Sequence, residues 1–423
     1  MRKTVGTLLG KSAAKAVSLR GKSGGQAFPG LVVETLIPGY LAAMLRQLPA
    51  GVTIITGTNG KTTTTKMVVE VLRAQGLRVL TNPTGSNLTR GIISSITAQA
   101  SFTGSLPFDL AVFELDEAYA IQFTAAIKPA WVLALNASRD QLDRFGEVDA
   151  VARLIAETMQ AARTGVIVNA DDKRLSAAAA NLKTSVRYFG VAEKLLKFFP
   201  RDDEIVSVDG HASLPQSTNL PLAVELLDFK EASATYKVGK EKLAAALQVT
   251  GQHNFQNAAG ALALLQALLP DAKVSELLAQ LSHVQPAFGR GQAFTLKNGS
   301  TLQLNLVKNP ASFRQGLASY VQKDTQTMIA INDNLADSRD MSWLWDIDFR
   351  SLGDSIALTS GTRAADMALR LQYDDITVNQ VEPNLEKALQ HFCAAPEDKI
   401  IFASYTAMLR LYGLLQKQTG NQL

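Results

Sequence analysis

The stretch running from Gly51 through Thr63, Gly-Val-Thr-Ile-Ile-Thr-Gly-Thr-Asn-Gly-Lys-Thr-Thr, leaves a chain few ways to fold. Val52 to Ile55 read as a short buried strand, and beyond the turn Met67, Val68, Val71 and Leu72 recur at helical spacing. A strand, a glycine turn and a helix opening on Gly-Lys-Thr suit a polyphosphate. Glycine lets backbone N–H groups come close to the oxygens, and the helix N-terminus adds partial positive charge. Lys61 can reach the β- and γ-phosphates, and the Thr62 hydroxyl can ligate Mg²⁺. The spacing is not that of the commonest phosphate loop, whose first glycine would fall at Ile55. Gly57, Thr58, Asn59, Gly60, Lys61, Thr62 and Thr63 are therefore candidate nucleotide-binding residues, for ATP or GTP.

From Gly51 onward buried strands alternate with helices. Strands are expected at Val52–Thr56, Arg78–Thr81, Leu110–Glu114, Trp131–Leu135 and Gly165–Asn169, and a helix over Val148–Arg163. This alternation predicts an α/β fold with a mostly parallel sheet. Ligands in such sheets sit at the carboxyl ends of strands. The polar clusters Gly57–Thr63, Asn82–Asn87, Glu114–Glu117 and Asn136–Asp143 fall there. Residues 190–250 change character, with Pro200, Pro215 and Pro221, and read as a β-rich excursion. A helix from Asn254 to Leu269 stops at Pro270. Gln285–Gly291 reads as a linker to a second, smaller α/β domain, with strands near Leu302–Val307, Met328–Ile331, Ile356–Thr359 and Ile400–Ala403. Three segments result: a lead-in over 1–50, with a helix from Tyr40 to Leu48, packed on its neighbour; a central nucleotide-binding domain over 51–291; and a C-terminal domain over 292–423.

Composition excludes several classes. Of 423 residues, 47% are hydrophobic and 19% charged, as in globular rather than disordered chains. A net charge of +4 gives no basic fold for nucleic acid. The single cysteine, Cys393, excludes an intramolecular disulfide and a Cys-cluster zinc site, and fits a reducing cytoplasm. No apolar run reaches ~18 residues, so no membrane-spanning helix is expected. Charge is uneven at the start: Arg2, Lys3, Lys11, Lys15, Arg20 and Lys22 precede the first acid, Glu34. Such an arm could lie on an anionic membrane surface or a phosphate-rich substrate, or simply fray in solvent.

Other residues carry chemistry. Glu114 ends an apolar strand and can hold the Mg²⁺ that Thr62 touches from the other side. Asn254 and Asn257 open a helix; an amide can pair with the adenine edge, and Asn254 can equally serve as a helix cap. Asp140 and Asp143 stand in a polar turn. In the last domain Lys308-Asn309 ends a strand, and Asp333, Asp337, Asp340, Asp346 and Asp348 crowd a few turns with Trp343 and Trp345. A solvated acidic loop needs no tryptophan, which favours a site or an interface.

Taken together, Gly57–Thr63, Glu114 with Asp116-Glu117-Ala118, Asp140-Gln-Leu-Asp143, Asn169-Ala-Asp171-Asp172, His253-Asn-Phe-Gln-Asn257, Gly289-Arg290, Lys308-Asn-Pro, the Asp337 to Asp346 run and Ser360-Gly-Thr-Arg363 resemble the Mur ligases. The Trp-Asp segment is similar to the MurT subunits of lipid II isoglutaminyl synthases. The resemblance covers nearly the whole chain. It implies that ATP converts the α-carboxyl of D-glutamate in the lipid II stem peptide to an acyl phosphate, which ammonia then displaces. A separate GatD-type amidotransferase with a catalytic Cys and His would make that ammonia from glutamine. On this resemblance ATP is held by Gly57–Thr63, Asn254, Asn257, Arg290, Lys308 and Asn309. Lys61 and Glu114 are catalytic, and Thr62 and Glu114 bind Mg²⁺. An aspartate of the C-terminal domain, Asp340 first and Asp337 second, completes the partner's glutaminase site. The place implied is the cytoplasm, peripherally at the inner membrane face. The chain also departs from the pattern. Gln141 stands where amino-acid-adding ligases carry His, and Leu154, Ile155 and Ala156 stand near their carbamoylated Lys, so a second Mg²⁺ site of that kind is not expected. The region 190–225, where many MurT chains carry a zinc ribbon, has no Cys, so no zinc is expected. Ser338 stands where a glycine is expected. The other readings are a stand-alone amino-acid-adding ligase of the MurE or folylpolyglutamate kind, and a non-catalytic nucleotide-binding scaffold.

Overall fold

The structure, a computed structural model, describes residues 2–19, 27–82, 89–138, 148–199, 220–249, 251–286, 290–321, 325–337 and 339–419. Strands β1 (Val52–Thr56), β2 (Val79–Thr81), β3 (Leu110–Glu114), β4 (Trp131–Ala134), β5 (Gly165–Asn169) and β6 (Ser185–Val191) form the parallel part of a nine-stranded sheet. Its order is β2-β3-β1-β4-β5-β6, continued by β7 (Leu222–Lys230), which is parallel to β6. The antiparallel strands β8 (Ser233–Val238) and β9 (Glu241–Ala246) complete it. The β-rich excursion read for 190–250 thus extends the edge of the main sheet.

Residues along the central strands alternate between two cores, as buried parallel strands must. Ile55, Val112, Leu133 and Ile167 meet Met67, Val68, Val71 and Leu72 of the helix Lys61–Ala74, together with the helices Gln252–Leu268 and Val274–Ser282. Ile54, Phe113, Val132 and Val168 meet Tyr40 and Met44, Ile92 and Ile96 of the helix Thr89–Gln99, Phe123, and Ile155 of the helix Val148–Gln160. Strand β1 lies between β3 and β4, and the chain winds away from it on both sides. The loop after β1 therefore opens at the topological switch point, where such sheets bind ligands.

A second sheet has the order β10-β11-β15-β12-β13-β14. Its strands are β10 (Arg290–Thr295), β11 (Thr301–Leu306), β12 (Gln326–Ala330), β13 (Ser355–Ser360), β14 (Thr377–Glu382) and β15 (Lys399–Ala403). All pairs are parallel except β10 with β11.

The largest difference from the sequence reading is at the N-terminus. Residues 1–50 were read as one helix with an arm, whereas the helices Arg2–Leu19, Phe28–Leu36 and Tyr40–Leu45 are present. The first is seated by small residues instead of an apolar stripe. A Cβ on Gly6 would lie 2.3 Å from the Tyr40 ring, and one on Gly10 would lie 2.6 Å from Thr97. Hydrophobic periodicity has nothing to detect there.

Candidate functional site

Strand β1 ends at Thr56, and two glycines with positive φ, Gly57 (130°) and Gly60 (86°), turn the chain into the helix that starts at Lys61. Both need the absence of a side chain for space as well as for conformation. A Cβ on Gly57 would meet Asn136 N at 2.9 Å, and one on Gly60 would meet Asn257 Oδ1 at 2.4 Å. The loop is latched from beside it by Asn136, at the end of β4. Its Oδ1 accepts from Asn59 N at 2.8 Å, its Nδ2 donates to Asn59 O at 3.0 Å, and its backbone O accepts from Thr58 N at 2.9 Å.

Thr62 Oγ1 donates to Glu114 Oε1 at 2.8 Å, so the hydroxyl and the carboxylate meet across the strand ends. Asn82 braces Glu114 through both its backbone groups, donating to its O at 2.9 Å and accepting from its N at 3.0 Å. Lys61 is buried, and its Nζ donates to Gly57 O and, at 3.3 Å, to Thr58 O. Its ammonium also lies 3.5 Å from Glu117 Oε1, an oxygen with no hydrogen bond of its own. Burial opposes ionisation of Glu117, but Lys61 and Lys308 outweigh it and hold the carboxyl below the usual glutamate range.

The second lobe reaches the same loop. Lys308 Nζ donates to Thr58 O at 3.1 Å, and Asn309 Nδ2 donates to Asn59 Oδ1 at 3.1 Å. Asn309 also caps the helix Pro310–Tyr320 through Ser312 N at 2.8 Å. Asn254 lies inside its helix, whose N-cap is Gly251, so it is not the cap; its Oδ1 accepts from Asn257 Nδ2 at 3.3 Å. A cavity between the lobes is lined by Gly60, Thr63, Asn254, Asn257, Asn305 and Lys308. Arg290 opens β10 opposite Asn305, with its side chain outside the described residues.

Glu117 and Asn136 belong to polar clusters that the sequence places at strand ends without giving either a role, and Asn305 has no such signal. Asn305 is buried with neither amide atom hydrogen-bonded, facing the cavity. That is an unusual cost for a native protein to carry without a ligand. Strand-end position, which marks Glu117 and Asn136, is the signal that could also have found Asn305, near the end of β11. Asp171 and Asp172 instead tie neighbouring strand ends together. Asp171 Oδ2 accepts from Val191 N and Gln256 Nε2, both at 3.0 Å, and Asp172 Oδ2 accepts from Ala137 N at 2.7 Å. Asp140, Gln141, Asp143 and Ser338 lie outside the described residues.

The aspartates after β12 part company. Asp337 is buried and fully engaged: its carboxylate accepts from Thr406 N at 2.7 Å, Thr406 Oγ1 at 2.6 Å and Asn334 N at 3.2 Å. Asp340 is half-buried, with one oxygen on Ser342 N at 2.9 Å. Asp333 pairs with Arg363 at 2.8 Å. The tryptophans part too. Trp343 is buried against Phe313, whereas Trp345 is 53% exposed, with the Arg370 guanidinium 5.3 Å from its ring and Tyr373 edge-on at 5.1 Å.

Two family models match the chain, the Mur ligase middle domain over residues 55–265 and the MurT ligase C-terminal domain over residues 306–408. The chain belongs to the Mur ligase family, in its MurT branch. Among MurT relatives, the lipid II isoglutaminyl synthase (glutamine-hydrolyzing) subunit MurT of Staphylococcus aureus (strain COL) is 28% identical over 89% of each chain. The subunit of the same name from Streptococcus pneumoniae (strain ATCC BAA-255 / R6) is 27% identical over 98% of this chain and 97% of its own. The fold is similar to MurF from Acinetobacter baumannii, with a TM-score of 0.67 and 19% identity over 90% of this chain and 79% of that one. It is also similar to MurF ligase from Thermotoga maritima in complex with ADP, with a TM-score of 0.66 and 14% identity over 90% and 83%. This MurT-branch chain is thus a Mur-type ligase of peptidoglycan synthesis.

Proposed function

We propose that this chain is the ATP-dependent subunit of a lipid II isoglutaminyl synthase. It would activate the α-carboxyl of D-glutamate in the lipid II stem peptide and pass it to ammonia, yielding D-isoglutamine. One observation carries the reading: Thr62 Oγ1 and Glu114 Oε1 meet at 2.8 Å beside Lys61, in a loop that Lys308 and Asn309 touch from the other lobe. A free carboxylate does not react with ammonia, so an oxygen must first become a leaving group. The carboxylate oxygen forms a bond to the γ-phosphorus as the bond to ADP breaks. Ammonia then adds to the acyl carbon, the carbon–oxygen bond to phosphate breaks, and the nitrogen gives up a proton.

Lys61 turns from Gly57 O and Glu117 toward the γ-phosphoryl oxygens as it moves, and Lys308 and Asn309 hold the loop closed over the nucleotide. Asn254, Asn257, Asn305 and Arg290 surround the rest of it. One carboxylate and one hydroxyl suit Mg²⁺, which takes its other ligands from phosphates and water, and when bound it would offset phosphate charge. Among the described residues no cluster of three His, Cys, Asp or Glu competes for it.

The relatives' names include glutamine hydrolysis, which brings in a GatD-type glutaminase subunit as partner. Asp340, with one oxygen to spare, fits the residue that would complete the partner's Cys-His pair better than Asp337 does. We assign residues 1–50 as lead-in, 51–291 as the ATP-binding domain and 292–423 as the partner-facing domain. The place of work is the cytoplasmic face of the membrane that holds lipid II, and no described helix is long and apolar enough to cross it.

The test is ADP release by the purified chain with a candidate glutaminase and unamidated lipid II. Turnover should require lipid II together with glutamine or ammonium. Addition of a free amino acid would instead mark an amino-acid-adding ligase, and nucleotide binding without turnover would mark a scaffold.

A further inference from the structure

The helices Arg2–Leu19, Phe28–Leu36, Tyr40–Leu45 and Thr89–Gln99, with the turn up to Asp109, cap one face of the large sheet. Within the described residues of this cap, Arg2, Lys3, Lys11, Lys15, Arg46 and Arg90 meet only two acids, Glu34 and Asp109. Each acid is already neutralised, Glu34 by Arg90 at 2.7 Å and Asp109 by Arg78 at 2.7 Å. The first helix turns Gly6, Thr7 and Gly10 inward. Val5, Leu8, Ser12 and Lys15, three and four residues apart, form its outer stripe. Val5 is 40% exposed and Leu8 45%. Phe102, in the turn beside this helix, is 70% exposed with the Lys11 ammonium 5.2 Å from its ring.

Exposed apolar side chains among cations without free acids match a phospholipid headgroup layer, which offers negative charge above hydrocarbon. A protein partner would be expected to meet some of those cations with acids of its own in fixed register, whereas a fluid headgroup layer needs no such register. We propose that this cap rests peripherally on an anionic lipid bilayer. Val5, Leu8 and Phe102 enter the headgroup region, and Arg2, three residues before Val5, and Lys15 bind lipid phosphates. The inference deepens the proposed function by placing the ligase on the surface that carries its substrate, but it rests on a different face and a different measurement.

The full chain should co-sediment with vesicles of phosphatidylglycerol and phosphatidylcholine, release as salt rises, and ignore vesicles of phosphatidylcholine alone. Arg2→Glu with Lys15→Glu should lower the partition at least about 25-fold, at roughly fivefold per charge removed and more on reversal. Val5→Ser with Leu8→Ser should lower it too, with ATP binding unchanged in both variants. Equal binding to neutral vesicles would overturn the proposal, as would unchanged binding in the charge variant. A change in the chain's solution mass on mutation would also overturn it, because another protein copy would then occupy the face. Should a variant lose ATP binding through misfolding, a Ser12→Cys chain carrying an environment-sensitive dye decides the matter, with the parent chain as blank: a blue shift on anionic vesicles supports the proposal, and none sinks it. Vesicle binding lost with ligation of detergent-dispersed lipid II intact would leave the enzymatic reading standing; the reverse result would leave this one.

Discussion

The loop after β1 and the segment after β12 both leave the carboxyl edge of a parallel sheet, yet they spend their polar groups differently. After β1, Thr58, Asn59, Lys61 and Thr62 are buried together with Glu114 and Glu117 from the end of β3, and Lys308 and Asn309 arrive from the other lobe to bond the loop. After β12, Asp337 is sunk into bonds with Thr406, while Asp340 is half-buried, Trp345 half-exposed and Leu335 82% exposed. The first arrangement suits a small charged molecule, because a dry, preorganised surround would strengthen each contact. The second presents apolar and acidic side chains outward at Leu335, Asp340 and Trp345, which suits another protein. On the proposed function, one fold principle, ligands at strand ends, would serve two recognition tasks, and whether a second layer closes over the loop would decide which.

The contrast breaks most directly at Lys61. Lys61→Ala should cut ATP-dependent ligation by about 10³ or more, since it removes the cation at the transferring phosphoryl group. A glutaminase partner assayed in the same complex should keep its activity. Equal loss of both would mean that the two loops form one site.

Asp340→Asn should do the converse, lowering glutamine-driven amidation by about 10² while ammonium-driven amidation holds. If the ammonium reaction falls as well, Asp340 belongs with the phosphate loop. Asp337→Ala separates structure from chemistry in the same segment. It strands Thr406 N and the Asn334 turn, so about 2–3 kcal/mol of stability should go, seen as a lower midpoint in urea, with both nitrogen sources affected alike.

Paired glycine changes compare the loops at their backbones. Gly60→Ala forces a Cβ to 2.4 Å from Asn257 Oδ1 at a φ of 86°, and should weaken nucleotide binding at least about tenfold by calorimetry. Gly353→Ala, at φ 80° and ψ −159° with nothing within 4 Å, should cost about 1–3 kcal/mol of stability through backbone strain alone and leave nucleotide binding unchanged.

The smallest effect concerns pH. Folding lowers the pKa of Glu117, so its ion pair stabilises the native state above the unfolded carboxyl's value of 4.5, and that contribution is lost as pH falls through the lower folded value. A Glu117→Gln chain should therefore fall short of the parent in stability at neutral pH and converge with it as pH falls below the folded carboxyl's lowered value. A stability gap that stays constant across that range would show that the carboxylate's charge is not what matters there.

Much of this architecture was legible along the chain because the signals are short. β1, β3 and β5 begin and end at the residues their apolar runs mark, and the glycine–lysine turn announces the helix at Lys61. The N-terminal helix Arg2–Leu19 was not legible, since its contact with Tyr40 and Thr97 is made by glycines, which carry no hydrophobic signal. Strands β10 and β14 also escaped: β14 alternates exposed with half-buried residues at a sheet edge, too polar to read as a buried run.

The sequence by itself determined the strand–turn–helix that can hold a polyphosphate, the alternating pattern that favours two mostly parallel sheets, and the residue types available at their strand ends. Only the tertiary structure decided which partners those residues take: Asn136 as the latch of the loop, Glu117 as counter-ion to Lys61, Asn305 left unbonded toward the cavity, and Asp337 consumed where Asp340 is not. The reason is range. Periodicity and turn chemistry act over a few residues and can be read in order. A buried polar group, by contrast, is satisfied by whatever the fold brings beside it from far along the chain, and no local spacing encodes that.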